Sequence, residues 1–465
     1  MGGTSVKVVP TLKYLGISLH HKLSWLPHVK NICNKTNLLF NKMTKVAKTK
    51  WGLSPQIMSV IYDSVFLPMI SYAAPVWVEG QNQVHIHRKL QSAQRRALLR
   101  ICRAYSTTST AALQVIAGKL PIAQELEMVS QRWKMRHGLD VLINNENYNN
   151  IEQTLHCKYS EAPENWPFIA SHPWADQTLA IFSDGSKDGE QVGSAFVVYQ
   201  DNNEVHHSSY KLGRFCSVFQ AELWGILSAV RWCNDNFGGM KINLFTDSNS
   251  SAQSICNYNW RHPIVNQILK EISKNVNSFA IVWVRGHIGV CGNERADELA
   301  RCASNMNCNP SYTAIPQSFI ISRLKESALI KWQQIWDTQN KITRNFFPKV
   351  STTAGHLIQH NVTQFYTAHG KFQNYLYRFN KSSNQNCFLC DVPDGVEHYL
   401  FWCPMLEDMR HHIITMLPAH TNWPCNLNVL INDKNINQAF NNLLICILKE
   451  RWSDRNIMDS VVLLL

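Results

Sequence analysis

The chain has 465 residues, of which 45% are hydrophobic and 10% aromatic, so global disorder is excluded and about two to four domains are expected. Its formal net charge is +12, and residues 1–150 carry the whole excess, with 19 Lys and Arg against 6 Asp and Glu. This asymmetry favours an anionic partner for the first third of the chain. Nucleic acid is the leading candidate, and a solvated lysine-rich surface is the alternative.

The cysteines and the apolar stretches indicate the cellular compartment. The 14 cysteines are mostly isolated and form no dense disulfide framework, which favours a reducing environment. The first six residues lack a signal-peptide layout, and the longest apolar stretch, 60–78, contains Asp63 and two prolines, so we do not expect it to span a membrane. We expect an intracellular protein, nuclear or cytoplasmic, without a membrane partner.

Residues 1–141 are predicted to be mostly helical after a short strand. Apolar spacing predicts a strand at 7–16 and helices at 26–46, 55–67 and 84–103. The last of these helices has a cationic face, which can lie along a phosphate backbone without reading bases. This face consists of Arg88, Lys89, Arg95, Arg96 and Arg100.

The pattern changes after residues 142–177, which are rich in Asn, Glu and Pro and are predicted to be a linker. Residues 178–305 predict three strands, a helix, a strand, two helices, a strand and a final helix. The predicted strands are 179–183, 192–199, 204–212, 241–246 and 279–284, and the helices are 218–234, 248–256, 264–276 and 293–304. This order implies an α/β fold with a mixed five-stranded sheet, an antiparallel meander at one edge and helices packed on it.

Four acids stand out in this segment. Asp184 and Asp247 end predicted strands, Glu222 lies in the first long helix, and Asp297 lies near the start of the last helix. A single acid at a strand end is more often an Asx-turn or N-cap residue. Four converging carboxylates would repel one another unless cations were present. Two divalent metals about 3.5–4 Å apart would relieve that repulsion and form a phosphodiester-cleaving site.

The segment 179–304 resembles a type I ribonuclease H domain. The matching pieces are FSDGS at 182–186, QAEL at 220–223, TDS at 246–248 and WVRGHIGVCGNERADELA at 283–300. The resemblance implies hydrolysis of the RNA strand of an RNA/DNA hybrid. It also implies that Asp184, Glu222 and Asp247, with Asp297 as the fourth carboxylate, hold two Mg²⁺ or Mn²⁺ ions.

The same resemblance implies roles for residues around the carboxylates. His287, in a glycine-bearing loop, would assist proton transfer or product departure; a loop histidine bonded to backbone is the alternative. The weaker candidates for substrate contacts are Gly185, Ser186, Gln220 and Ser248. Residues 178–305 hold 11 Lys and Arg against 12 Asp and Glu and have no long basic insertion, so we expect the substrate to be gripped elsewhere in the chain.

A second cluster lies in residues 306–465, which are predicted to be mainly helical. Cys387, Cys390, His398 and Cys403 supply three thiols and one imidazole within 387–403. This spacing is typical of a tetrahedral structural zinc site, and buried free cysteines near a surface histidine are the alternative.

The flanks resemble the polyproteins of LINE-type (non-LTR) retrotransposons. Residues 13–17, 23–25, 28, 68–77 and 90–96 are similar to the thumb-side end of the reverse transcriptase, and 367–379 and 397–400 are similar to the tail. The resemblance implies the C-terminal part of such a polyprotein, with an RNA/DNA hybrid, the element RNA or a template–primer as partner. No Asp-Asp polymerase signature occurs, so we do not expect this chain to polymerise DNA.

Three interpretations follow from the sequence. The leading one is an active hybrid-specific ribonuclease with nucleic-acid-binding flanks, which the four carboxylates favour. The first alternative is a nucleic-acid-binding remnant without catalysis. The second is a fragment that is never stably folded, because Trp25, Trp51 and Trp77 in the thumb-like segment would lack a partner surface.

Overall fold

The computed structural model describes residues 9–44, 53–78, 83–155, 168–170, 173, 179–257, 261–274, 276–286, 288–339, 341–353, 358–387 and 390–450. The chain divides into two compact units. Residues 131–324 form the sheet unit, and residues 1–130 together with 325–465 form the helical unit. Among the described residues, no helix is both long and apolar enough to cross a membrane.

The strands lie mainly in the sheet unit. In chain order they are β1 Thr11–Tyr14, β2 Ile17–His20, β3 Val141–Ile143, β4 Glu146–Tyr148, β5 Phe168–Ile169, β6 Leu179–Asp188, β7 Gln191–Gln200, β8 Asn203–Leu212, β9 Lys241–Thr246 and β10 Ser278–Trp283.

The helices are distributed along the whole chain. The first eleven are α1 Leu26–Thr44, α2 Pro55–Ile61, α3 Leu67–Ile70, α4 Ala74–Trp77, α5 Val84–Cys102, α6 Thr110–Ala117, α7 Ile122–Arg136, α8 Val218–Asn236, α9 Asn249–Cys256, α10 Pro263–Ile272 and α11 Cys291–Ser304. The others are α12 Gln317–Asp337, α13 Lys341–Phe346, α14 His360–Thr367, α15 Gln373–Arg378, α16 Glu407–Met416, α17 Val429–Asn432 and α18 Lys434–Glu450. The described residues also include the π-helical turns Tyr62–Phe66 and His398–Trp402 and the 3₁₀ turn Pro404–Leu406.

The sheet unit is built on a mixed sheet with the strand order β5-β10-β9-β6-β7-β8. Strands β6, β7 and β8 form an antiparallel meander, while β6, β9, β10 and β5 run parallel to one another. The predicted five-stranded mixed sheet with a meander at one edge is therefore confirmed. The two-residue strand β5, from the predicted linker, adds a sixth strand beside β10.

The core of the sheet unit lies between the sheet and helices α8, α9 and α10. Apolar side chains of β6 and β9, such as Ile181 and Leu244, pack against Leu227 and Val230 of α8. Each fully buried aliphatic side chain contributes about 1.5–3 kcal/mol of burial free energy. Helix α8 begins with a capping box, in which Ser217 accepts from the Gln220 backbone while the Gln220 side chain accepts from the Ser217 backbone.

Helix α11 packs on the sheet at unusually close range. A Cβ atom added at Gly292 would lie 2.3 Å from the Phe182 ring, and one added at Gly193 would lie 2.1 Å from the carbonyl oxygen of Ala300. Only glycine permits these approaches of helix to strand. They bring α11, and with it Asp297, close to β6.

Part of the predicted linker is folded. Strands β3 and β4 form an antiparallel hairpin whose turn residues, Asn144 and Asn145, both have positive φ, as a two-residue type I′ turn requires. Ile151 then pairs with Ile315, and the Glu152 carboxylate accepts hydrogen bonds from Gln220 and Tyr312. The segment 141–155 is therefore attached to the sheet unit, which the polar composition of the linker did not reveal.

In the helical unit, the thumb-like segment packs against the C-terminal segment. Thr363 Oγ1 donates to the carbonyl oxygen of Cys102 at 2.8 Å, and Thr107 Oγ1 lies 3.0 Å from His369 Nδ1. Trp77 is fully buried. The burial of Trp77 therefore speaks against the second alternative, in which this side chain lacks a partner surface. Trp25 is half-buried, and Trp51 lies outside the described residues.

Helix α5 confirms the predicted helix 84–103 but not the whole of its cationic face. Arg88, Arg96 and Arg100 are exposed, and none of them forms an ion pair with an acid in the described part of the chain. Arg95, in contrast, turns toward the protein and donates to the backbone oxygens of Thr108 and Ser106. We call Arg88, Arg96 and Arg100 the arginine stripe.

Candidate active site

Three of the four predicted acids converge at one edge of the sheet. Asp184 lies in β6, and Asp247 directly follows β9, the parallel neighbour of β6. Glu222 projects from the first turns of α8. One carboxylate oxygen from each of the three lies within 4.8 Å of the other two. We call these residues the carboxylate cluster.

Gly185 allows the strand and the helix to meet. A Cβ atom at this position would lie 2.4 Å from the backbone nitrogen of Glu222 and 2.8 Å from the carbonyl carbon of Ala221. Any larger residue would push α8 away from β6. The glycine of the FSDGS piece thus places Glu222 beside Asp184.

The carboxylate cluster is strongly anionic and poorly solvated. Asp184 is 6% exposed and Glu222 is 5% exposed. Burial raises the pKa of Asp184 to about 7, and the charges of Asp247 and Asp297 add to this rise. Burial and then the charge of Asp184 raise the pKa of Glu222 well above its usual range. Both carboxylates would therefore be stabilised in their ionised form by a cation.

The donor set suits a hard divalent cation. Glu222 Oε2 is buried and accepts no hydrogen bond from any residue that the structure describes. Mg²⁺ and Mn²⁺ prefer such carboxylate oxygens. An unsatisfied buried oxygen among repelling carboxylates fits a metal site, because a metal would supply the missing partner.

Asp297 stands apart from the other three acids. It lies in α11, outside the set of mutually close oxygens, although its charge contributes to the raised pKa values of Asp184 and Glu222. Both of its oxygens accept hydrogen bonds from Arg301, one helical turn later. The fourth carboxylate is thus near the cluster but already paired.

Two residues that the sequence reasoning did not single out hold Asp247. Asn293 Nδ2 donates to Asp247 Oδ2 at 3.4 Å, and Trp283 Nε1 donates to the backbone oxygen of Asp247 at 3.0 Å. Both belong to the 283–300 motif block, so their place in this block could have marked them as site residues. They restrict the position that the Asp247 carboxylate can take.

Two further predicted site residues are His287 and Gln220. His287 lies outside the described residues. Gln220 was expected to contact substrate, but its buried side chain bonds to Ser217, Glu152 and the carbonyl oxygen of Ala314, so it stabilises the start of α8 instead.

The other two weak candidates lie in β6 and at the start of α9. Ser186 is half-buried, two residues beyond Asp184 in β6. Ser248 caps α9 by accepting from the backbone nitrogen of Ser251. Its hydroxyl therefore already has a structural role next to Asp247.

The cysteine–histidine residues form a second candidate metal centre in the helical unit. The ligand atoms of Cys387, Cys390, His398 and Cys403 all lie within 4.8 Å of one another. Cys390 Sγ lies 4.0 Å from Cys387 Sγ and 3.8 Å from His398 Nε2. Two sulfurs bound tetrahedrally at about 2.3 Å from zinc would be about 3.8 Å apart, so the spacing fits. We call these residues the Cys3His cluster.

Two local turns bring these ligands together. The backbone nitrogen of Asp391 donates to the oxygen of Cys387 at 3.0 Å, and Asp391 has a positive φ, which reverses the chain after Cys390. The π-helical turn that starts at His398 ends where the Cys403 nitrogen donates to the His398 oxygen at 2.8 Å. Cys387, His398 and Cys403 are almost fully buried, as in a closed structural site.

Comparison with known proteins identifies the sheet unit. Residues 176–305 match the family model for RNase H. A ribonuclease H of Pseudomonas syringae pv. syringae is 30% identical over 110 residues, which cover 18% of this chain and 73% of that enzyme. The chain belongs to the ribonuclease H family. Its motif blocks thus lie within a genuine ribonuclease H domain.

Other relatives of the chain come from retrotransposons. The 115 kDa protein in the type-1 retrotransposable element R1DM of Drosophila melanogaster is 30% identical over 136 residues, 29% of this chain and 13% of that protein. The retrovirus-related Pol polyprotein from element R1 4 of Nasonia vitripennis is 32% identical over 163 residues, 32% of this chain and 41% of the polyprotein. The chain spans less than half the length of these relatives. The predicted relation to LINE-type retrotransposon polyproteins is confirmed.

Proposed function

We propose that the ribonuclease H domain hydrolyses the RNA strand of RNA/DNA hybrids with divalent metal ions held by the carboxylate cluster. The observation that carries this proposal is the convergence of Asp184, Glu222 and Asp247, with ligand oxygens within 4.8 Å of one another and one buried oxygen unsatisfied. Family membership supports the same reaction, because it rests on the segment that contains all three acids.

The mechanism follows from what each side chain can do. When bound, two Mg²⁺ or Mn²⁺ ions would supply an activated water and charge stabilisation for the leaving 3′ oxygen. Asp184, Glu222 and Asp247 would hold them, with Asp297 as the fourth carboxylate. Asn293 would keep the Asp247 carboxylate oriented during the reaction. The products would be a 5′-phosphate and a 3′-hydroxyl.

Residues around the carboxylates would complete the reaction. We propose that His287 assists proton transfer or product departure. Gly185 and Ser186, which follow Asp184 in β6, are our proposed contacts to the hybrid, where 2′-hydroxyls distinguish RNA from DNA.

We also propose that the Cys3His cluster binds a structural zinc ion. Its support is the pair of ligand distances at 4.0 and 3.8 Å and the burial of three of its four ligands. Thiolate and imidazole donors suit zinc, whereas the carboxylates of the other cluster suit magnesium. The two clusters would thus select different ions.

The arginine stripe is our proposed contact to the phosphate backbone of the hybrid, the element RNA or the template–primer. Arg96 and Arg100 are four residues apart in α5, so their side chains lie on one helix face about 6 Å apart along the axis. Without acidic partners among the described residues, these guanidinium groups are available to phosphates.

Cleavage of a labelled RNA strand in an RNA/DNA duplex tests the proposal. With Mg²⁺, the full chain is expected to cut the RNA. The cleavage rate of Asp184→Asn is expected to be lower by about 100-fold or more, because even the loss of a residue that only orients a metal ligand lowers activity by about 10–100-fold. Asp188→Asn is the matched control, because Asp188 is an exposed acid at the end of the same strand. An undiminished cleavage rate for Asp184→Asn refutes catalysis by the carboxylate cluster. No Mg²⁺-dependent cleavage by wild type leaves nucleic-acid binding without catalysis.

A further inference from the structure

Arg301 forms a two-point contact with Asp297. Its Nε donates to Asp297 Oδ1 at 2.9 Å, and its second terminal nitrogen donates to Oδ2. Both residues lie in α11 at positions i and i+4, so the helix itself holds them together. Each oxygen of the fourth carboxylate therefore already has a cationic donor.

The charge of Arg301 also acts on the carboxylate cluster. It opposes the rise in the pKa of Asp184 that burial and the neighbouring acids cause. The guanidinium side chain is 65% exposed, whereas the Asp297 side chain is 17% exposed. Arg301 can therefore leave toward solvent, while Asp297 stays in the wall of the site.

Arg295 shows that this arrangement is not general for the cations of α11. It lies earlier in the same helix and pairs with Glu298 at 2.7 Å and with Glu204 at 3.2 Å. Neither of these acids belongs to the carboxylate cluster. Arg295 therefore has the same chemistry and a similar helix position without contact to the site.

We propose that Arg301 is a resident counter-cation that competes with a divalent metal ion for Asp297. The pair keeps the fourth carboxylate neutralised until the metal concentration is high enough to displace the guanidinium. Arg301 would thus set the metal concentration at which the site fills. This inference rests on the proposed metal-dependent function of the same cluster.

The test is calorimetric titration of the zinc-loaded full chain with Mn²⁺, without substrate. Arg301→Gln is expected to tighten the weaker Mn²⁺ binding step by about three- to fivefold, the upper end of what loss of an exposed ion pair allows. Arg295→Gln is expected to leave the affinity within about twofold of wild type. Equal or weaker Mn²⁺ binding by Arg301→Gln overturns the proposal, because removal of a competing cation must tighten metal binding.

A double-mutant cycle locates the effect. In the Asp297→Asn background, Arg301→Gln is expected to change Mn²⁺ affinity by less than about twofold, since the contested carboxylate is gone. Tightening that persists there shows that Arg301 acts elsewhere and overturns the competition. Arg301→Lys keeps the positive charge but loses the two-point guanidinium contact. Its Mn²⁺ affinity is expected to lie between those of wild type and Arg301→Gln, and tighter binding than that of Arg301→Gln overturns the proposal.

The outcomes separate the inference from the proposed function. If wild type binds no Mn²⁺, or binds it as Asp184→Asn does, the carboxylate cluster is not a metal site and both proposals fail. If Asp184→Asn loses binding but Arg301→Gln does not gain it, only the counter-cation proposal fails.

Discussion

The carboxylate cluster and the Cys3His cluster achieve similar ligand spacing by different means. The acids come from β6, α8 and the end of β9, so the folded sheet unit must bring them together. The cysteines and histidine lie within 387–403 and meet through two local turns. The first set is held by the folded scaffold of the sheet unit, whereas the second is held by short-range turns.

The ligand atoms of the two clusters also differ, and they suit different kinds of metal ion. Oxygen ligands that repel one another and retain an unsatisfied atom suit an exchangeable ion that can accept water and phosphate. Three thiols and an imidazole, three of these four ligands buried, suit a zinc ion with a closed four-ligand shell. The comparison predicts that damage to the Cys3His cluster affects stability first, whereas damage to the carboxylate cluster affects catalysis first.

The largest effect on stability is expected for Cys390→Ser. Loss of a thiolate ligand should abolish zinc binding and lower the free energy of unfolding by about 3 kcal/mol or more, because structural zinc contributes about 10–16 kcal/mol of apparent binding free energy. Zinc content by mass spectrometry and urea denaturation would measure both. Cys308→Ser is the control, since Cys308 is an exposed free cysteine. Full zinc occupancy in Cys390→Ser would contradict the site.

Substitution in the carboxylate cluster is expected to raise the free energy of unfolding rather than lower it. Asp184→Asn should raise the stability of the zinc-loaded chain without added Mg²⁺ by about 1–2 kcal/mol at pH 8, because it removes a buried charge that neighbouring acids repel. The folded chain holds the Asp184 proton more tightly than the unfolded chain, so wild-type stability falls as pH rises toward the pKa of about 7. The gap between variant and wild type should therefore shrink at pH 5.

Urea denaturation at the two pH values checks this expectation. Asp188→Asn, at the exposed end of the same strand, should show no such gap. A destabilised Asp184→Asn chain at pH 8 would mean that the carboxylates are held by partners other than metals.

The smallest effect is expected in the arginine stripe. Arg96→Gln should lower the slope of the logarithm of hybrid affinity against the logarithm of salt concentration by about one, without changing sequence preference. Lys331→Gln is the control, because Lys331 is already paired with Glu127 at 3.0 Å. Fluorescence anisotropy at several salt concentrations measures both variants. An unchanged slope for Arg96→Gln would show that the stripe does not contact phosphates.

The sequence predicted those parts of the molecule that short motifs specify. Alternation and helix periodicity were sufficient for the five-stranded sheet, and motif order was sufficient to nominate the acids that the structure brings together. The Cys3His cluster could be predicted because its ligands are close in sequence. In each case the pattern could be recognised within a short stretch of sequence.

Contacts between distant segments could not be predicted in this way. Glu152 accepts from Gln220, 68 residues away, so nothing near either residue revealed that the linker would fold or that Gln220 would be buried. Strand β5 is only two residues long and has no periodicity to detect. The Asp297–Arg301 pair is different, because its i, i+4 spacing in a predicted helix was visible and could have been found.

The central claim is that the carboxylate cluster cuts RNA through bound metal ions. The most direct measurement is the initial rate of RNA cleavage in an RNA/DNA hybrid as a function of Mg²⁺ concentration, for wild type and Glu222→Gln. We expect a rate that rises with Mg²⁺ and yields 5′-phosphate ends for wild type, and a loss of about 100-fold or more for Glu222→Gln at every concentration. Metal-independent cleavage, or an equal rate for Glu222→Gln, would contradict the account.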